Sequence, residues 1–240
     1  MRKDNLLSIV VIVLMILLSL AYVNSAPTGP QIIYNETVNA SATPAASITT
    51  AGGTFTTLIL NATMQNYRWK AYVGNVTGKF ALQDANNYSI YDWALTSVAG
   101  EVYVSRNNSI TWTQVNCSNQ TNIGSEEYSL NITDSKVDSI NRTFNRTIHK
   151  SFYVGSNYIS NSTCPAIATY VNGTQQTINE TAAFQEILLS DRTNIIYSTL
   201  LENKVQGFNN QLYDFQLIVP DYGSEAVTTP VPYYFFIELS

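Results

Sequence analysis

The sequence predicts an all-β protein: an antiparallel β-sandwich or jelly-roll-like domain with one short helix, preceded by an N-terminal hydrophobic helix. Three observations carry this. From Thr54 onward apolar residues recur with a period of two, as where Tyr67, Trp69, Ala71 and Val73 alternate with Arg68, Lys70 and Tyr72. Turn residues punctuate the runs: Gly74-Asn75, Gly155-Ser156-Asn157, Asn172-Gly173 and Asp191-Arg192-Thr193-Asn194. Polarity comes from 25 Asn, 22 Ser and 26 Thr, with only 12% charged residues, about half the usual share.

Taken in order, the strand candidates after Tyr67–Val73 begin with Lys79–Asp84, Ile90–Leu95, Glu101–Ser105, Ile110–Val115, Ser151–Val154 and Ala166–Val171. Phe184–Ser190, Ile195–Leu201, Tyr213–Val219 and Tyr233–Leu239 complete the set, and Phe55–Leu60 precedes it. Asn172-Gly173 is the strongest hairpin signal, because both central positions tolerate positive φ. Val137, Ile140 and Phe144 lie at helical spacing, so a short helix is expected near Ser135–Asn145, capped by Asp134 or Ser135. The last strand, Tyr233–Leu239, is expected to pair within its own sheet, with exchange into a neighbour as the alternative.

Residues 1–26 read as a signal peptide or membrane anchor. Arg2 and Lys3 precede an apolar run from Leu6 to Val23, followed by Asn24-Ser25-Ala26. The run, 18 residues, is longer than an ordinary signal core of about 7–15 and just long enough to span a bilayer. Retention would make residues 6–23 a single-span anchor with Arg2 and Lys3 inside. Cleavage after Ser25 would release the chain, with Val23 and Ser25 as the small residues at minus three and minus one. Residues 27–53, rich in Thr, Ser, Ala, Pro and Gly, read as a stalk or linker. One extracellular β-domain is expected over residues 54–240.

An exported chain gives meaning to its Asn-x-Ser/Thr acceptors. They number 14: Asn35, Asn39, Asn61, Asn75, Asn87, Asn107, Asn116, Asn119, Asn131, Asn141, Asn145, Asn161, Asn172 and Asn179. Random placement would give about 5, so N-glycosylation of several sites is expected. The two cysteines, Cys117 and Cys164, are expected to form one disulfide, as suits an oxidising compartment.

No catalytic constellation is legible. There is no nucleophile elbow, zinc motif, phosphate loop or dinucleotide fingerprint, so no cofactor is expected. Two thiols and the single histidine do not build a zinc site, and no calcium ladder appears. His149 reads as a solvated surface residue. Asp84, Asp92, Glu101, Asp191, Asp214 and Glu238 leave a paired-carboxylate hydrolase formally open, but most read as solvated. Trp69, Trp93 and Trp112 are candidates for stacking on sugar rings, with core packing the favoured reading of each. The net charge of −5 and the lack of a Lys/Arg cluster exclude a nucleic-acid footprint.

Five phrases carry a resemblance: Arg-Trp-Lys-Ala-Tyr-Val-Gly-Asn-Val-Thr-Gly (68–78), Tyr-Asp-Trp (91–93), Glu-Val-Tyr (101–103), Tyr-Asp-Phe-Gln-Leu-Ile-Val-Pro (213–220) and Tyr-Tyr-Phe-Phe-Ile-Glu-Leu (233–239). From the Thr/Ser stretch to its end the chain resembles an uncharacterised archaeal family of N-terminally anchored or secreted, sequon-rich surface β-proteins. The resemblance implies archaeal origin and cell-surface placement; it transfers no catalytic or ligand residue. The expectation is a non-enzymatic glycosylated surface protein, a structural or adhesive component of an envelope or filament. Self-assembly or contact with other envelope proteins would follow. A carbohydrate- or ligand-binding β-module and a secreted hydrolase are the alternatives.

Overall fold

Two strands fix the centre of the fold. β9 (Gln185–Ser190) and β10 (Ile195–Leu200) are buried at every position, as strands covered on both faces must be. Asp191 builds the turn between them: its carboxylate accepts N–H bonds from Thr193 at 3.0 Å and Asn194 at 2.7 Å. β10 pairs with β4 (Gly100–Ser105), and β4 with β14 (Tyr234–Leu239), all antiparallel. β5 (Asn116–Cys117) and β8 (Ala166–Ala168) share the other edge of β9. The sheet order is β14-β4-β10-β9-β5, with β8 beside β9.

Alternation along these strands makes two cores. One face presents Val102, Val104, Leu188, Ile195 and Tyr197 to Leu217 and Val219 of β13 (Phe215–Pro220), and to Ile123, Leu130, Ile140 and Phe144. The other presents Tyr103, Ile187, Leu189 and Ile196 to Val115, Phe152, Val154 and Ile159. β13 forms a separate antiparallel ribbon with β1 (Trp69–Gly74). The second face is covered by the hairpin of β6 (Phe152–Val154) and β7 (Asn157–Ile159). The remaining pairings include β2 (Lys79–Gln83) with β3 (Ser89–Ala94), β11 (Val205–Gln206) with β12 (Leu212–Tyr213), and the Val171–Thr174 bridge.

Around that bridge, Asn172 and Gly173 take φ of 49° and 65°, the two-residue turn the sequence predicts. At Gly100, φ is 122°, and a Cβ there would lie 2.1 Å from the Glu238 carbonyl oxygen. Glycine is therefore required where β4 meets the end of β14.

The cysteines form the expected disulfide, joining Cα atoms 4.8 Å apart. It ties β5 to the chain entering β8, so both short strands are held against one edge of β9.

The computed structural model describes residues 26–41, 43–132, 136–222 and 230–240. The expected N-terminal helix, and Asp134 and Ser135 as helix caps, lie outside them. Among the described residues no helix is long and apolar enough to cross a membrane. The all-β, antiparallel expectation holds, but several elements differ. Phe55–Leu60 forms no strand and is exposed throughout. Ile110–Val115 turns instead as a 3₁₀ segment at Trp112–Gln114, which lets Trp112 pack on Tyr103 and Phe236.

Among the described residues there are two α-helices after Thr54 rather than one short helix, α1 (Gln120–Ser129) and α2 (Ile140–Thr143). α2 starts later than expected, with Ser139 accepting the Arg142 N–H, and Val137 is exposed. α1 is capped reciprocally by Asn119 and Asn122. Its inward stripe is Ile123, Glu126, Glu127 and Leu130. Two glutamates on that stripe hide the apolar period. Arg106 binds Glu126 through two N–H bonds of 2.7 and 2.6 Å, and Glu127 accepts the Asn141 N–H at 2.8 Å.

Candidate interaction surface

The chain enters the body at its far edge. Thr28 pairs with Ile237 of β14 through both backbone bonds, 3.0 and 2.8 Å, and Pro27 is buried. Over residues 29–41 and 43–66 it then runs exposed, with no strand or helix. Phe55 is 100% and Ile59 98% exposed. A segment of strand-forming composition thus leaves its backbone donors and acceptors outside any ladder.

The β2–β3 hairpin is equally uncovered. Phe80 stands opposite Trp93 and Leu82 opposite Tyr91, so four apolar side chains share one face. The opposite face carries Lys79 and Asp92, which form an ion pair. An amphipathic hairpin is normally covered on its apolar side, yet every residue of both strands is exposed here. Trp93 is 53% exposed and meets Tyr91 edge-on at 4.9 Å between ring centres.

The other two tryptophans are packed. Trp69 lies 6.2 Å from the Phe144 ring and donates to the Asp138 carbonyl at 2.8 Å. Trp112 sits between Tyr103 and Phe236, at 5.2 and 5.1 Å. Core packing thus describes Trp69 and Trp112, whereas Trp93 departs from it. The hairpin carrying Trp93 projects from the body, so its alternation has no core to face.

The sequon asparagines lie at the surface: Asn141 is half-buried and the other 13 are exposed. Asn141 and Asn145 line an open groove of about 650 Å³ together with Arg142, Arg146 and Pro165. Such a wide mouth does not enclose a small molecule.

Polar residues expected to be solvated are partly interior. His149 is fully buried rather than solvated: Nδ1 meets the Lys150 carbonyl at 2.7 Å, and Nε2 accepts the N–H groups of Thr163 and Cys164 at 3.1 and 2.9 Å. Burial lowers its pKa, against a smaller opposite push from the Lys150 carbonyl. Of the six carboxylates, Asp84 and Asp92 are exposed as expected, whereas Glu101, Asp191 and Asp214 are buried and Glu238 is half-buried. Asp214 accepts N–H bonds from Val76 and Lys204 at 2.8 and 2.9 Å, joining two loops. Backbone-binding duty of this kind does not show in residue type.

Glu101 and Glu238 do come together, as cross-strand partners on β4 and β14. Burial, with the Glu238 charge beside it, pushes Glu101 up to about 8, opposed by a hydrogen bond from Tyr103. Glu238 is raised by burial, opposed by its bonds from Gly155 and Tyr103. Glu186 is fully buried on the opposite face of the sheet, and burial raises it well above the usual carboxylate range, with only the Ile218 N–H opposing. Among the described residues no group of three or more His, Cys, Asp or Glu is arranged to hold a metal ion.

No family model, curated protein or solved structure matches this chain. The functional reading therefore rests on its own geometry and residues.

Proposed function

We propose that this chain is a non-enzymatic, glycosylated cell-surface protein that serves as a structural or adhesive building block of an archaeal envelope or filament. Its frame is sandwich-like, with the β1–β13 ribbon laid over the central sheet. The observation that supports assembly most directly is a pair of incomplete features in one molecule. Phe55–Leu60 is a strand-forming segment without a sheet, and β2–β3 is an amphipathic hairpin without a cover. Pairing across molecules would satisfy both, by strand addition and burial of the Phe80–Trp93 face. The export signal and sequon excess support the surface placement.

Negative-stain microscopy of protein extracted from native envelope tests the reading. Fibres or ordered arrays that disappear when Phe55, Leu58 and Ile59 are replaced by Asp bear it out. Discrete particles in both samples overturn it.

A second reading has its own support in the Tyr91–Trp93 pair. Two exposed rings 4.9 Å apart offer an apolar face to a sugar ring. A glycan array on wild type and Trp93→Ala separates the two readings, since only the sugar-binding module loses array signal while its assembly state stays the same.

A further inference from the structure

We propose that the chain is cut between Ser25 and Ala26, and that the ammonium group freed on Ala26 docks against the paired carboxylates of Glu101 and Glu238. The inference rests on the proposal that the chain is exported, and it adds what the processed terminus does.

The geometry begins with Thr28. Its two backbone bonds to Ile237 align the incoming segment antiparallel to β14. Continuing that register sets Pro27 beside Glu238. Pro27 is buried, so the segment is seated there. Ala26 then passes the β6–β7 turn: a Cβ built on Gly155 would stand 3.9 Å from the Ala26 Cα. Gly155 is also the residue whose N–H donates to both oxygens of Glu238, at 3.0 Å each. The backbone of Ala26 and the Glu238 carboxylate therefore share one neighbour.

Among the described residues no cation pairs with the carboxylates at this place. Glu101 and Tyr103 face it from β4, Glu238 from β14, and the Gly155 N–H from the β6–β7 turn. None of the five ion pairs among the described residues reaches Glu101 or Glu238: the cations Arg68, Lys70, Lys79, Arg106 and Lys150 are engaged by Asp138, Asp221, Asp92, Glu126 and Glu202. Two carboxylates desolvated side by side cannot both ionise without a nearby cation. Burial keeps a proton on the pair near neutral pH, consistent with that absence. Cleavage provides the cation at this point. A membrane-bound signal peptidase adds water across the Ser25–Ala26 amide, leaving a carboxylate on Ser25 and an ammonium on Ala26. Val23 and Ser25 supply the small residues such an enzyme reads.

Expression of the full chain in a secreting archaeal or eukaryotic host, followed by N-terminal mass analysis, gives the first readout. The expected mature start is Ala26. The α-amine is then methylated reductively with ¹³C, which preserves its charge, and titrated by NMR. Its pKa is expected about 1–3 pH units above the ordinary value near 8, returning toward that value in Glu238→Gln. A cleavage-blocked Ser25→Trp chain in detergent serves as a second comparison should Glu238→Gln fail to fold. There Glu101 is expected to titrate near 8, and lower in the processed protein.

A glycosylated product that begins elsewhere overturns the cleavage but leaves export standing. An Ala26 start with an ordinary α-amine overturns the ion pair. An unglycosylated chain retained inside the cell overturns export itself.

Discussion

Glu101 and Glu238 stand directly opposite each other across the β4–β14 ladder, on the face that also carries Tyr103. Tyr103 donates its hydroxyl to Glu238 at 3.1 Å. The folded state holds Glu101 at about 8 against an ordinary 4.5. A raised acid binds its proton more tightly folded than unfolded, so its contribution is complete below about 4.5 and is lost as pH rises toward 8. A chain with residues 1–25 still attached should therefore lose stability across that interval. Thermal unfolding in detergent at stepped pH reads the slope, and Glu101→Gln should flatten it and raise the midpoint at pH 8.

His149 has the opposite dependence. Its lowered pKa means that stability is present above the unfolded value of about 6.5 and is lost as pH falls through the folded value. Protonation places a hydrogen on Nε2, where the Thr163 and Cys164 N–H groups now donate. His149→Ala leaves both donors without an acceptor, at a cost of about 2–4 kcal/mol. Urea titration at pH 7.5 measures the loss. An unchanged midpoint would mean that water replaces the ring.

Loss of the Cys117–Cys164 bridge releases β5 and the start of β8 from β9 together. Closing a loop with a sequence separation of 47 is worth about 4 kcal/mol in the chain-entropy model. The Cys117→Ala/Cys164→Ala double variant should unfold at lower denaturant by about that amount. Hydrogen exchange should rise first at Asn116–Ser118 and Ala166–Ala168, leaving β10 protected.

Arg106 engages the inward carboxylate of Glu126 through two N–H bonds, and it is about a quarter exposed. Arg106→Met should cost about 1–2 kcal/mol, less than a fully buried pair because water reaches the guanidinium. The companion double variant with Glu126→Gln should recover most of the loss. Circular dichroism of α1 together with the unfolding midpoint separates this from general destabilisation.

Substitutions on the β2–β3 face have no core to disturb. Trp93→Ala and Phe80→Ser should shift unfolding by less than about 0.5 kcal/mol, while reducing self-association in sedimentation runs. A loss of several degrees in melting temperature would mean that the hairpin is covered in the isolated molecule.

The central sheet was legible because Gln185–Ser190, Ile195–Leu200 and Tyr234–Leu239 combine β-branched and aromatic residues with clear turn punctuation. Asn172-Gly173 announced its turn through chemistry alone. What sequence reasoning missed has physical causes. Phe55–Leu60 has strand composition, but composition does not supply a neighbouring ladder. α1 escaped because Glu126 and Glu127 occupy inward positions whose partners, Arg106 and Asn141, lie far away in sequence; the Asn119–Asn122 cap was its one local signal. His149, Asp191 and Asp214 were misread because a polar side chain that binds backbone N–H groups looks the same in sequence as one that binds water. The docking of Thr28 on Ile237 joins opposite ends of the chain and left no short-range mark.

That docking changes what the exposed Thr/Ser-rich segment is mechanically. Residues 29–66 are fastened at both ends, to β14 through Thr28 and to β1 through Trp69, so they form a closed hoop and not a tail. Taut, a hoop of this length reaches roughly 60 Å from its base, far enough to catch a neighbour before the two bodies touch. Its two fixed feet also bar it from threading fully away from its parent. Any strand it lends therefore stays joined to its own parent at both ends.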